Sequence, residues 1–178
     1  MIVKKGIVVL DFGGQYTQLI ARRIREQEVF SAILPCNAKL EEIRRYDPAG
    51  IILSGGPSSV YDKDAPVCDP EVLRIGVPVL GICYGMHWMA HTLGGDVQPA
   101  ERREYGRAQL EREGESELFN GVPRSLKIWN SHGDHVVGLP AGFAVTGRTS
   151  NAVAAIENAA AKLCAVEFHP RGAWPVYS

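Results

Sequence analysis

The sequence predicts an α/β fold: a mostly parallel open sheet with helices on both faces, and antiparallel strands added in the second half. Three observations carry this expectation. The first half alternates short apolar runs with amphipathic stretches, the pattern of parallel strands joined by helical crossovers. Glycine-containing loops follow three of those runs, at Gly13-Gly14, Gly55-Gly56 and Gly81 to Gly85. From Gly106 onward the texture changes to short runs rich in β-branched and aromatic residues, with turn signals at Gly121-Val122-Pro123, at 138–142 and at Asn158.

Taken in order, residues 6–12 read as a buried strand, and Tyr16, Leu19, Ile20 and Ile24 supply the apolar stripe of a helix whose Arg22, Arg23, Arg25 and Glu26 point mostly outward. Residues 30–35 form a second strand, 40–46 a short helix, and 50–54 a third strand that runs into Ser54-Gly55-Gly56-Pro57. A fourth strand covers 77–82. Directly after Cys83, Met86, Met89, Ala90 and Leu93 fall at i, i+3, i+4 and i+7, so this segment buries one face as a helix ended by Gly94-Gly95. In open parallel sheets ligands bind beyond the carboxyl ends of the strands, which is where the three glycine-containing loops converge.

At 178 residues with 46% apolar content and net charge −1, the chain buries a substantial core and is expected to form a single domain over 1–178. Lys and Arg nearly balance Asp and Glu, and the pairs Arg22-Arg23, Arg44-Arg45 and Arg102-Arg103 are isolated, so no nucleic-acid track is expected. No apolar stretch is long enough to cross a bilayer and no secretory signal opens the chain, which points to a cytoplasmic protein with no membrane partner. Cys36, Cys68, Cys83 and Cys164 are widely spaced with no C-x-x-C pair, which argues for free thiols and against a metal site.

Cys83 is the leading candidate for chemistry. It stands on a strand-to-helix turn bracketed by Gly81 and Gly85, glycines that let the chain bend and a substrate approach. The first N–H groups of a helix lack internal partners and favour a thiolate over a thiol. The same strand, elbow and helix present the nucleophile of serine hydrolases. A cysteine nucleophile needs a base, and His169 is the best placed: it ends the strand-like run 163–168, which Pro170 halts. His91 and His135 are expected to be structural.

G-I-C-Y-G around Cys83, S-G-G-P at 54–57 and F-H-P at 168–170, in that order and spacing, resemble class I glutamine amidotransferases. Within that family, DFGGQYTQLIARRIRE at 11–26, REYG at 103–106 and SHGD at 131–134 are similar to the glutaminase domain of GMP synthetases, and the likeness runs over nearly the whole chain up to Pro170. The resemblance implies a flavodoxin-like sheet and a reaction in which the Cys83 thiolate attacks the side-chain amide of glutamine, ammonia leaves, and water hydrolyses the glutamyl thioester. It implies an oxyanion hole from the backbone N–H groups of Gly56 and Tyr84. Gly55, His87, Ser131, Gly133 and Asp134 would bind the substrate. It also implies a partner, the ATP-pyrophosphatase domain or subunit of a GMP synthetase, which takes the ammonia to aminate xanthosine monophosphate. ATP and Mg would be held there alone, since no Walker-type loop occurs in this chain.

The sequence departs from the family pattern at three places. Arg171 stands where a carboxylate would orient the histidine, and a guanidinium beside an imidazolium opposes its formation. His87 replaces a glutamine, and an imidazole does not donate and accept from one end as a primary amide does. Ala165 and Glu167 replace the glycine and glutamine that precede F-H-P. One reading is a chain altered or truncated from Arg171 onward, leaving a weak or inactive catalyst. The other has Glu167 as a substitute carboxylate reaching His169 from two residues away on the same strand face; its approach from the strand side favours the first reading. Two further alternatives are a degenerate glutaminase kept for a regulatory or docking role, and an amidotransferase or γ-glutamyl hydrolase of another pathway. REYG and SHGD weigh against the last.

Overall fold

The computed structural model describes residues 5–150 and 152–169, with the side chains of 102–104 and 131–132 outside the description. Twelve elements follow one another among them: β1 (Ile7–Asp11), α1 (Thr17–Glu26), β2 (Ser31–Pro35), α2 (Leu40–Arg45), β3 (Gly50–Leu53), β4 (Val79–Ile82), α3 (Tyr84–Thr92), β5 (Asp96–Arg112), β6 (Ser125–Gly138), β7 (Ala144–Arg148), β8 (Val153–Asn158) and β9 (Leu163–Val166). The strands form one sheet in the order β2-β1-β3-β4-β9-β8-β7-β5-β6. The first five in that order pair parallel and the remaining pairings are antiparallel.

Both faces of the sheet are covered, as the alternation of apolar and amphipathic segments requires. Val8 and Leu10 of β1, Ile51 and Leu53 of β3, Ile43 of α2, and Met86, Met89 and Ala90 of α3 share one buried cluster. On the other face Ile52, Leu80, Ile82 and Val166 join Leu110, Phe119 and Ile128 of the antiparallel half, with Ile20 of α1 packed against them. Successive strand residues thus enter opposite cores.

The decisive placement for function is β9. It returns to the middle of the sheet and pairs with β4 in parallel, Gly81 beside Ala165 and Ile82 beside Val166. The residues after β4 and after β9 therefore emerge side by side at the carboxyl edge although 84 positions separate Cys83 from Glu167. An isolated antiparallel bridge between Trp129 and His169 then ties the chain beyond β9 to β6, so the antiparallel half curls back towards that edge.

Several boundaries differ from the sequence expectation. Tyr16 precedes α1 instead of contributing to its apolar stripe, because Asp11 Oδ1 accepts from Gly13 N–H at 2.8 Å and from Thr17 Oγ1 at 2.9 Å and so fixes the helix start one residue later. A 3₁₀ turn at Pro70–Arg74, with Asp69 accepting from Glu71 N–H, has no counterpart in the periodicity. The larger correction concerns α3. Every residue from Tyr84 to Ala90 is buried, so this helix is not amphipathic. It lies on β3, β4 and β9 while β5 and β6 also contact it, which leaves most of its length no face for water.

Candidate active site

Cys83 caps α3 with φ 49° and ψ −110°, a left-handed conformation that costs a side-chain-bearing residue strain and persists only where its surroundings hold it. Its N–H donates to Val166 O at 2.8 Å and its carbonyl accepts from His87 N–H at 3.1 Å, so β9 and the first turn of α3 grip the elbow from both sides. The flanking glycines serve packing and not the bend. A Cβ on Gly85 would stand 2.4 Å from Leu53 O, and one on Gly81 would stand 2.7 Å from Gly85 O. Their bare backbones let α3 start directly upon the sheet.

The loops after β1 and β3 are locked together beside this elbow. Ser54 Oγ accepts from Phe12 N–H at 2.9 Å and donates to Gly55 O at 2.9 Å, both bonds being buried. A Cβ on Gly14 would meet Gly55 O at 2.4 Å, and one on Gly56 would meet Phe12 O at 2.4 Å. Gly55 lies against the candidate chemistry. The point where its Cβ would stand lies 3.4 Å from Cys83 Cβ and 3.2 to 3.3 Å from the His169 ring, so Cys83 and the imidazole both come up against one bare glycine.

His169 does not sit at the end of a strand. The strand stops at Val166, and the imidazole is placed by the Trp129 bridge and by the Tyr16 ring, whose centroid is 4.5 Å from its own. Because β9 stops there, the two-residue alternation that would carry Glu167 and His169 to one side is not continued. The Glu167 carboxylate is instead buried against His87, with Oε1 at 2.7 Å from Nε2, while the Glu167 carbonyl accepts from the Cys83 thiol at 2.9 Å.

The electrostatics differ from the thiolate expected at a helix start. Burial, with the Glu167 charge adding to it, holds the Cys83 thiol well above its ordinary value. The residue is only 4% exposed, so lost hydration outweighs the favourable end of a nine-residue helix. Burial also opposes a charge on His87, but the Glu167 carboxylate, its hydrogen bond and the Asp134 charge outweigh it and raise the imidazole above its ordinary value.

The family described as glutamine amidotransferase class-I matches residues 8–172. The chain belongs to the class I glutamine amidotransferases. It is 53% identical over 168 residues to a GMP synthase [glutamine-hydrolyzing] of Syntrophomonas wolfei, covering 94% of this chain and 33% of that protein. It is 54% identical over 165 residues to the protein of that name from Carboxydothermus hydrogenoformans, covering 92% of this chain and 32% of the relative. The chain thus spans about a third of the length of these curated relatives. Among solved structures, a Thermoplasma acidophilum protein described as a candidate GMP synthase subunit superposes with TM-score 0.82 at 26% identity, over 94% of this chain and 84% of that one. A glutamine amidotransferase of Thermotoga maritima shares the fold with TM-score 0.73 at 20% identity, over 93% and 76% of the two chains.

In this amidotransferase chain one cavity of about 570 Å³ takes in Gly55, Gly56, Cys83, Tyr84, His87, Gly133, Asp134 and His169. Tyr84 is the first residue of α3, so its N–H has no partner within the helix, and Gly56 faces the same space. Gly133 lies where four residues of β5, 100–103, oppose a single residue of β6, a bulge that swings the hairpin towards the cavity. The backbone of Ser131 pairs with Tyr105 just beyond that bulge, and its side chain lies outside the described residues, as does the whole of Arg171. Tyr16 and Tyr105 also line the cavity; the periodicity gives Tyr16 to the apolar stripe of a helix instead, and Tyr105 carries no signal beyond its position inside REYG. His91 packs edge-on against Tyr61, away from the cavity.

All four cysteines are free. Among the described residues no group of three His, Cys, Asp or Glu side chains is arranged to hold a metal ion, and no helix is long and apolar enough to cross a membrane.

Proposed function

We propose that this domain hydrolyses glutamine to glutamate and ammonia through Cys83. The observation that carries the reading is the strained Cys83 elbow and the His169 imidazole both set against Gly55 inside a cavity large enough for an amino acid. Because the thiol is held protonated at rest, His169 takes the Cys83 proton as sulfur attacks the side-chain carbonyl carbon. The oxyanion that forms is met by the N–H groups of Gly56 and Tyr84. The carbon–nitrogen bond then breaks, the imidazolium returns its proton to the departing ammonia, and water, deprotonated by the same imidazole, releases glutamate and restores the thiol. Backbone groups at Ser131, Gly133 and Asp134 hold the amino-acid end of the substrate, with His87 at the cavity wall.

The receiving chemistry belongs to a further domain or polypeptide. The curated relatives named GMP synthase [glutamine-hydrolyzing] are about three times as long as this chain, which supports a synthetase partner that binds ATP and Mg and aminates xanthosine monophosphate. Free thiols in a chain with no membrane-spanning helix among its described residues support a cytoplasmic setting.

The raised Cys83 thiol favours a second reading, a docking module with little turnover. Ammonia release with and without the synthetase partner, for the chain and for Cys83→Ala, separates the two. The first reading expects release that Cys83→Ala abolishes and a glutamine-like electrophile that labels Cys83 stoichiometrically. Unchanged release in Cys83→Ala overturns it, and absent release with intact complex formation supports docking.

A further inference from the structure

Directly beneath the nucleophile is a buried acid–base pair that the reaction above does not use. Glu167 and His87 are 1% and 4% exposed, and their side chains meet at 2.7 Å. Glu167 touches Cys83 by a second route, since its backbone carbonyl accepts from the thiol at 2.9 Å. His87 sits one turn beyond Cys83 on α3 and donates its own N–H to the Cys83 carbonyl. A single residue of β9's extension therefore contacts both the sulfur and the imidazole, and the backbone of His87 is itself hydrogen-bonded to the elbow.

A buried carboxylate beside a thiol has a definite sign of effect: unscreened, it penalises the thiolate. A proton on His87 makes the pair neutral and removes most of that penalty. The titratable groups that meet this cluster are Cys83 itself, His169 beyond β9, and Asp134 on β6, with Tyr16 and Tyr105 along the cavity wall. Asp134 bears on His87 in the same sense as Glu167, favouring the protonated pair.

We propose that His87 and Glu167 act as one charge-compensated unit under Cys83: Glu167 restrains ionisation of the thiol, and protonation of His87 cancels that restraint. Both are positioning residues. The inference deepens the glutaminase reading, and its test uses alkylation of Cys83, so that it fails or survives separately from glutamine turnover.

The rate of Cys83 carbamidomethylation by iodoacetamide, followed by mass spectrometry of the Cys83 peptide, is measured against pH in the full chain. Variants are Glu167→Gln, His87→Gln and the pair combined. Glu167→Gln is expected to move the alkylation midpoint down by about one pH unit, as removal of a close like charge does. His87→Gln, which leaves the carboxylate uncompensated, slows alkylation at pH values below the His87 midpoint and changes it little above. In the Glu167→Gln background, His87→Gln adds little, because there is no anion left to screen. Slower alkylation in Glu167→Gln, unchanged alkylation in His87→Gln below the His87 midpoint, or additive effects in the double variant overturns the proposal. A second measurement needs no variant: the His87 imidazole, followed by NMR in the unaltered chain, titrates above 6.5, and a midpoint at or below 6.5 also overturns it. Absence of glutamine hydrolysis by the unaltered chain, alone and with the synthetase partner, with these alkylation changes intact overturns the proposed function and leaves the inference standing.

Discussion

The rings of Tyr16 and His169 lie 4.5 Å apart at a tilt of 57°, so a residue from the loop before α1 forms a wall for an imidazole that arrives from beyond β9. Aromatic contacts of this kind contribute about 0.5–1.5 kcal/mol beyond simple burial. Tyr16→Ala is expected to loosen the imidazole and lower kcat for ammonia release by about tenfold, the rate equivalent of about 1.4 kcal/mol. Tyr16→Phe keeps the ring and most of the rate. Steady-state ammonia assays on the two variants check this, and equal losses in both would refute the packing role.

Gly55 gives a sharper expectation. A methyl there would press on the His169 ring at 3.2 Å and on Cys83 Cβ at 3.4 Å, while its backbone φ demands nothing unusual. Gly55→Ala should therefore leave thermal stability nearly unchanged yet reduce kcat about a hundredfold, because small displacements of reacting groups cost that much. A melting curve and an activity assay on the same preparation test the split between fold and chemistry.

Ser54 is the reverse case, a residue whose loss weakens the fold first. Its hydroxyl is the buried acceptor for Phe12 N–H, and alanine leaves that donor without it. The expected cost is about 1–3 kcal/mol. For a chain of this size Tm falls by about 2–4 °C per kcal/mol. Calorimetry of Ser54→Ala checks it, and a Tm within one degree of the parent's, about the measurement error, counts against the bond's importance.

Stability should also decline in two alkaline steps. The folded His87 value is raised, so its contribution is fully present below the unfolded value of 6.5 and is lost as pH rises through the folded one. Burial raises the thiols of Cys68 and Cys164 to about 12, so their contributions are complete below 9.0 and disappear between there and about 12. Urea midpoints measured from pH 6 to 11 should show both declines in the parent chain. Glu167→Gln should lack the first and retain the second.

Much of this arrangement was legible in the sequence because it is written in local pattern. β1 to β4, the position of Cys83 at the end of a strand, and the switch to antiparallel strands all follow from apolar runs and turn residues. What escaped was set by tertiary contact. Gly81 and Gly85 bracket the elbow for reasons visible only when Leu53 O and the start of α3 are in place. The full burial of α3 comes from the β5–β6 hairpin lying over it, which no period of 3.6 residues encodes. Likewise the carboxylate of Glu167, two residues from His169 in the chain, is paired with His87, eighty positions away, because β9 ends too early for simple alternation to hold.

The parallel pairing of β4 with β9 has a consequence for the nascent polypeptide. Until residue 166 has left the ribosome and inserted, the elbow lacks its Val166 clamp, the thiol lacks the Glu167 carbonyl, and no imidazole stands opposite. A half-made chain therefore carries this cysteine on an unclamped turn with no facing imidazole, and the geometry around it is completed only when β9 pairs with β4.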